Sequence, residues 1–181
     1  LMLFLINVLT LSRIFSAIVI FLLLTQTNYN FLILFLFIFS GISDYLDGFF
    51  ARKYNLTSDV GEILDPIADK ILVIFILIGL SVKFNSFLIG FNASLIISRE
   101  ILVSALRDYN SRNGKSYLTK VTFLAKSKTA IQFFTISIYL IGISFNNMLF
   151  VVIGDILIIM STIITLYTGY QYFYSSFANK R

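Results

Sequence analysis

The sequence contains no cysteine and no histidine, and only 13% of its 181 residues are charged. The absence of cysteine excludes disulfide bonds, thiolate metal sites and a cysteine nucleophile. The absence of histidine excludes imidazole acid–base catalysis and histidine metal ligation. Any chemistry or metal binding in this chain must therefore depend mainly on carboxylates.

The low charge is accompanied by a large excess of apolar residues. Apolar side chains make up 58% of the chain, and the mean hydropathy is +0.90. A soluble domain has just under half apolar residues and about a quarter charged ones. A chain of this length buries only about 70% of its unfolded surface on folding, so much of the excess would face the solvent. These proportions predict a membrane protein.

Six apolar stretches each approach the roughly 20 residues that a helix needs to cross a bilayer. The first stretch lacks a charged start and a small-residue cleavage site, so we interpret it as a retained helix. No linker or low-complexity tract divides the chain, and we expect one domain over residues 1–181. The predicted fold is all-α and integral to the membrane, with six transmembrane helices over 8–25, 30–50, 60–80, 87–106, 121–142 and 148–175.

Basic residues are distributed unequally between the two ends of these predicted helices. Lys83 alone is charged in the connections on one side, whereas eight Lys and Arg residues lie on the other. The positive-inside rule then places both termini on the cytoplasmic side of the membrane. The net charge of +5 is scattered between apolar runs, which argues against a nucleic-acid partner. Four tyrosines of the last stretch suit an interfacial position on the cytoplasmic side: Tyr167, Tyr170, Tyr172 and Tyr174.

Six of the nine acidic residues lie within a segment of 26 residues. Asp44 and Asp47 are three residues apart in the second predicted helix, and Asp65 and Asp69 are four apart in the third. Each pair shares a helix face, and the short connection makes the two helices antiparallel neighbours. Four adjacent carboxylates repel one another unless a cation compensates. Because oxygen ligands favour Mg²⁺, Mn²⁺ or Ca²⁺, we predict a divalent-metal pocket that opens to the cytoplasmic side.

Small residues extend this acidic pattern. By themselves they are better explained by close helix–helix packing. The full pattern is Asp44-Tyr-Leu-Asp47-Gly48-Phe-Phe-Ala51-Arg52, eight further residues, then Gly61-x-x-x-Asp65-x-x-x-Asp69. It resembles the signature of the CDP-alcohol phosphatidyltransferases at every fixed position and spacing.

The resemblance implies a set of ligands and a catalytic residue. Two divalent ions, Mg²⁺ or Mn²⁺, would be bound by Asp44, Asp47, Asp65 and Asp69. Asp69 would also be the general base. A CDP-lipid site would be lined by Gly48, Ala51, Arg52 and Gly61.

Further segments resemble the phosphatidylglycerophosphate synthase branch of that family. These are Asn7–Arg13, Asp65–Lys70, Ser98–Arg107 and Lys126–Gln132. For one isolated cation, snorkelling to the lipid headgroups is the simpler explanation, but a cluster facing an acidic site suits a phosphate group. The predicted acceptor-phosphate residues are Arg13, Arg99, Arg107, Lys126 and Lys128. We interpret Glu100 as an ion-pair partner of Arg99.

The resemblance implies a metal-dependent phosphatidyltransferase of phospholipid biosynthesis. It would transfer the phosphatidyl group from CDP-diacylglycerol to sn-glycerol 3-phosphate and release CMP. A sister enzyme that uses inositol phosphate, serine or a phospholipid as acceptor is the nearest alternative. A divalent-cation transporter is the alternative from another class, because buried acids mark ion paths. Membrane lipids are expected partners, and a homodimer is compatible with the sequence.

Overall fold

In a computed structural model, the described part of the chain forms six α-helices and no strands. The structure describes residues 2–54, 59–115, 117 and 123–178, and it describes their side chains except at 2–7, 47–54, 59–63, 123–126 and 178. The helices are α1 (Met2–Gln26), α2 (Asn30–Tyr54), α3 (Asp59–Lys83), α4 (Phe87–Arg112), α5 (Phe123–Ser144) and α6 (Met148–Ala178). All six predicted helices are confirmed, and most extend a few residues beyond their apolar stretches.

Three helical segments are long and apolar enough to cross a membrane, as judged by length and composition over the described residues. They are Val8–Gln26, Phe87–Arg112 and Met148–Phe177, and Asn30–Leu46 is a shorter apolar segment. Large apolar side chains also lie on the outer surface of the bundle, for example Phe35 and Ile163. The chain is therefore an all-α membrane protein, as predicted. That α2, α3 and α5 also cross the bilayer stays a prediction.

Short polar turns join α3 to α4 and α5 to α6. Asn85 and Asn146 have positive φ angles of 45° and 50°, a conformation that asparagine tolerates better than most residues. Ser86 caps α4, because its side-chain oxygen accepts a hydrogen bond from the Ile89 N–H. These turns make each pair of helices antiparallel neighbours.

The packing of the helices determines which polar residues meet. α1 packs against α2 and α3, α3 also contacts α4 and α5, and α6 packs against α4 and α5. Fully buried residues from several helices form the core, among them Ile20, Leu72 and Ile136. A Cβ atom at Gly79 would lie 2.9 Å from Leu24 Cδ1, so α1 and α3 approach closely. The N-terminal half of α1 therefore lies beside the acidic residues of α3.

Candidate active site

Three carboxylates from α2 and α3 converge on one arginine of α1. Arg13 Nη1 lies 2.5 Å from Asp44 Oδ1 and 2.5 Å from Asp69 Oδ1. Arg13 Nη2 lies 3.9 Å from Asp65 Oδ1. One turn earlier on α1, the Thr10 hydroxyl donates a 2.7 Å hydrogen bond to Asp65 Oδ1. We call Arg13, Asp44, Asp65 and Asp69 the acidic cluster, and α1 supplies its positive charge.

The arginine and the carboxylates differ in how exposed their side chains are. The Arg13 side chain is 1% exposed, whereas Asp44 and Asp65 are each 44% exposed. A buried guanidinium that lost its carboxylate partners would be strongly destabilising. The carboxylates therefore hold the buried charge of Arg13 while their own outer sides stay accessible.

The donor chemistry of the acidic cluster suits a divalent ion. Asp44, Asp65 and Asp69 offer only carboxylate oxygens, which are the ligands that Mg²⁺ and Mn²⁺ prefer. Among the side chains that the structure describes, no three carboxylates form a ready-made metal cage. The Asp47 side chain lies outside the described residues. The residues present thus fit a metal by their chemistry.

The predicted CDP-lipid residues lie on the two helices that carry the acids. Gly48, Ala51 and Arg52 belong to the last turns of α2, and Gly61 belongs to the first turn of α3. Because α2 continues to Tyr54, these positions extend the helix that presents Asp44. Their side-chain surroundings, like those of Lys126, lie outside the described residues, and the predicted roles stay predictions.

A second polar region is a cavity of about 260 Å³ between α3, α4 and α5. The charged and hydroxyl groups that line it include Lys70, Arg99, Glu100, Ser104, Arg107 and Lys128. Lys70 Nζ donates a 2.7 Å hydrogen bond to Ser104 Oγ across α3 and α4. Asp69 lines the same cavity. This carboxylate therefore belongs both to the acidic cluster and to what we call the basic cavity.

Glu100 is the counter-charge inside the basic cavity. Its Oε1 atom accepts a 3.0 Å hydrogen bond from Arg99 Nη1, and Lys128 Nζ forms an ion pair with the same oxygen. The predicted Arg99–Glu100 ion pair is confirmed. The three residues connect α4 to α5 at the wall of the cavity.

The predicted acceptor-phosphate residues occupy different environments. Arg13 lies in the acidic cluster and not with the other cations. Arg99 is 5% exposed, and it donates hydrogen bonds to Thr165 O at 3.0 Å and to Thr168 Oγ1 at 2.9 Å. Arg107 is exposed and lines the cavity. The structure thus brings Arg99, Arg107 and Lys128 together, and phosphate binding by each of them stays a prediction.

Thr10, Lys70 and Tyr172 contribute to these regions but were absent from the predicted site residues. Thr10 and Lys70 lie within the segments that resemble the family, one turn before Arg13 and directly after Asp69, so a sequence signal existed. Tyr172 had none. It is 4% exposed and contacts the arginines of the cavity, although its sequence context matches that of the exposed tyrosines around it.

Comparison with known proteins identifies relatives over most of the chain. A family model described as CDP-alcohol phosphatidyltransferase matches residues 3–167. A Rickettsia bellii protein named CDP-diacylglycerol–glycerol-3-phosphate 3-phosphatidyltransferase is 39% identical over 170 residues, which cover 92% of each chain. A protein with the same name from Wigglesworthia glossinidia brevipalpis is 36% identical over 137 residues, covering 76% of this chain and 74% of its own. The matched family region contains the acidic cluster and the lining of the basic cavity, and it ends before Tyr172.

Proposed function

Because the chain belongs to the CDP-alcohol phosphatidyltransferase family, we propose that it transfers the phosphatidyl group of CDP-diacylglycerol to sn-glycerol 3-phosphate. The products are phosphatidylglycerophosphate and CMP. The observation that carries this proposal is the position of Asp69, which contacts Arg13 of the acidic cluster and lines the basic cavity. If the diphosphate binds at the acidic cluster and the phosphorylated alcohol binds in the basic cavity, the reaction needs a residue that reaches both.

In this proposal Asp69 is the general base. A hydroxyl group of the acceptor in the basic cavity would come within reach of the Asp69 carboxylate. The carboxylate accepts the hydroxyl proton as the oxygen attacks the phosphorus of the phosphatidyl group, and the bond between that phosphorus and CMP breaks. A positioned base of this kind typically contributes about 10²- to 10⁴-fold to the rate.

The proposal includes two divalent ions, Mg²⁺ or Mn²⁺, held by Asp44, Asp47, Asp65 and Asp69. When bound, such ions neutralise a diphosphate and stabilise the charge on a leaving phosphate. The chain's own contribution is the rigid placement of the carboxylates on α2 and α3. The cytidine diphosphate would lie against three small residues next to the carboxylates, Gly48, Ala51 and Gly61, with Arg52 close by.

The acceptor is proposed to bind in the basic cavity. Its phosphate carries close to two negative charges, and Lys70, Arg107 and Lys128 surround the cavity with positive charge. Charge-assisted hydrogen bonds from such groups are stronger than neutral ones, which favours a phosphorylated acceptor over serine. Arg13 and Arg99 add positive charge nearby while their N–H groups donate to protein oxygens. Lys126 is retained in the proposal as a further basic residue.

The orientation in the membrane follows from the basic residues near the helix ends. We propose a multi-pass protein of the bacterial inner membrane with both termini and the acidic cluster on the cytoplasmic side. This orientation would give the cavity access to a water-soluble acceptor, while the lipid substrate stays in the bilayer. Formation of a homodimer stays a prediction.

An acceptor-competition assay tests the function. The purified protein in mixed micelles with Mg²⁺ and CDP-diacylglycerol is offered labelled sn-glycerol 3-phosphate, inositol 1-phosphate or serine at equal concentration. We expect labelled lipid, with an equal amount of CMP, only when glycerol 3-phosphate is the acceptor. Labelled lipid from one of the other acceptors would identify a sister enzyme. Divalent-ion flux into liposomes without any CMP release would instead identify a transporter.

A further inference from the structure

Tyr172 of α6 lies against both arginines of the basic cavity. The guanidinium carbon of Arg107 is 5.5 Å from the centroid of the Tyr172 ring, and that of Arg99 is 5.8 Å from it. Both distances fall within the roughly 6 Å over which an aromatic face attracts a cation. The ring is buried in a small cluster with Val103 and Leu106. One buried aromatic side chain therefore contacts two cations of α4.

Other residues of α6 hold Arg99 through hydrogen bonds and close packing. Thr165 and Thr168 supply a carbonyl and a hydroxyl oxygen to its guanidinium. At Gly169, an added Cβ atom would lie 2.8 Å from Arg99 Cγ, so only a residue without a side chain allows this approach. Since these positions and Tyr172 recur at helical spacing, they form one continuous face of α6 directed at α4. We call Thr165, Thr168, Gly169 and Tyr172 the α6 face.

The two arginines use the α6 face differently. Arg99 is buried, and its guanidinium donates to Glu100 and to α6. Arg107 is exposed and lines the cavity, and among the described residues its guanidinium contacts the Tyr172 ring without forming an ion pair. A cation–π contact restricts a guanidinium but leaves its N–H groups able to donate. The ring can therefore orient Arg107 without competing with an anion for it.

We propose that Tyr172 is a positioning residue that holds the Arg107 guanidinium ready for the acceptor phosphate. In this proposal the last helix completes the acceptor site, although the described lining of the cavity comes from α3, α4 and α5. The inference rests on the proposed function, because it takes the anion in the basic cavity to be the acceptor's phosphate. Without the ring, Arg107 samples more rotamers, and each binding event must order it again.

Two substitutions separate the ring face from the rest of the side chain. Tyr172→Leu removes the aromatic face, and Tyr172→Phe keeps it and is the matched control. We expect Tyr172→Leu to raise the KM for sn-glycerol 3-phosphate by about 3- to 30-fold, the range that a contact between a cation and a ring supports. Its kcat and its KM for CDP-diacylglycerol should stay nearly unchanged, and Tyr172→Phe should retain the wild-type KM values.

A double-mutant cycle with Arg107→Ala tests whether the KM effect of Tyr172→Leu depends on Arg107. If Tyr172 acts through Arg107, Tyr172→Leu should raise the KM for glycerol 3-phosphate little or not at all in the Arg107→Ala background. Additive effects would overturn the proposal, and so would a Phe variant as impaired as the Leu variant. An equal rise of both KM values with a fall in kcat would indicate a structural role only. If Tyr172→Leu yields no folded protein, Tyr172→Met, whose flexible side chain adapts to irregular gaps, replaces it in the same cycle.

Failure of the proposed function would be distinguishable from failure of this inference. If the wild-type protein uses a different phosphorylated acceptor, the assignment to glycerol 3-phosphate is wrong. The same cycle, run with that acceptor, then still decides whether Tyr172 acts through Arg107. If glycerol 3-phosphate is the acceptor and the cycle is additive, only the role of Tyr172 is wrong.

Discussion

The acidic cluster and the basic cavity have opposite charge arrangements. In the acidic cluster, carboxylates of α2 and α3 surround one buried arginine. In the basic cavity, cations of α3, α4 and α5 lie around one glutamate, Glu100, which pairs with Arg99 and Lys128. Lys70 and Arg107 form no ion pair with a described residue. The carboxylates of the acidic cluster thus already share a protein cation, whereas two cations of the cavity have no such counter-charge among the described residues.

In both regions, charged residues of one helix are contacted by residues of a neighbouring helix. The carboxylates lie on α2 and α3 and the arginines of the cavity lie on α4, and residues of α1 and α6 contact them. Thr10 and Arg13 of α1 contact the carboxylates, and Thr168 and Tyr172 of α6 contact the arginines. Residues of α1 and α6 thus help to determine the geometry of both regions.

The largest expected effect is at the residue that the two regions share. Asp69→Asn removes the carboxylate that accepts the proton, and we expect kcat to fall by about 10²- to 10⁴-fold. Asp108→Asn is the matched control, because Asp108 is an exposed acid of α4 that pairs only locally with Arg112, and its rate should match the wild type. Steady-state assays at saturating Mg²⁺ compare the two. A fall of only a few-fold for Asp69→Asn would point to another base.

The second prediction concerns the central arginine of the acidic cluster. Arg13→Gln leaves the carboxylates without their shared cation, and we expect a loss of about 2–4 kcal/mol of stability in the absence of metal, because the broken ion pairs include a buried partner. Thermal unfolding in EDTA measures this as a lowered Tm. Added Mg²⁺ should raise the Tm of the variant more than that of the wild type, since no guanidinium competes with the ion for the carboxylates. An equal rise in both proteins would contradict competition between Arg13 and the ion.

The third prediction tests the basic cavity from the side of the acceptor. Arg107→Ala should raise the KM for sn-glycerol 3-phosphate by roughly 10- to 100-fold, which corresponds to the loss of one charge-assisted contact. Arg107→Lys should recover only part of this, because an ammonium group cannot bind two phosphate oxygens in the same plane. Titrations of each substrate at saturating levels of the other give the two KM values. A raised KM for CDP-diacylglycerol alone would assign Arg107 to the lipid substrate.

The smallest effect is expected one and a half turns further along α4. Arg112 forms an ion pair with Asp108, and their side chains are 79% and 61% exposed. Exposed pairs of this kind contribute about 0.2–1 kcal/mol at most, so Arg112→Ala should leave the Tm and both KM values nearly unchanged. A KM effect as large as that of Arg107→Ala would show that general positive charge near the end of α4, and not the cavity, selects the acceptor.

The helices and the acidic pairs could be predicted because their signals are local. Apolar runs of bilayer length and acids three or four residues apart determine helices and faces without any knowledge of tertiary contacts. The partners of Arg13 could not be predicted in this way, because Asp44 and Asp69 lie 31 and 56 residues away. The sequence grouped Arg13 with the other cations by charge alone, and the close approach of α1 to α3 places it among the acids.

The sequence also could not predict which tyrosine of α6 is buried. Tyr170 and Tyr174 are 65% and 62% exposed, as expected for interfacial residues, whereas Tyr172 is 4% exposed. These residues share a composition and a neighbourhood in the sequence, and only their direction on the helix differs. Which direction is buried depends on where α6 packs against α4, and that packing involves residues far apart in the chain.

The central claim is that Asp69 couples chemistry at the acidic cluster to an acceptor in the basic cavity. The most direct measurement follows CMP release and labelled lipid formation together, in the wild type and in Asp69→Asn, with and without sn-glycerol 3-phosphate. We expect the wild type to release CMP only with the acceptor and in equal amount to phosphatidylglycerophosphate. Asp69→Asn should still bind both substrates but release CMP about 10²- to 10⁴-fold more slowly. CMP release without an acceptor, or a variant with the wild-type rate, would contradict the central claim.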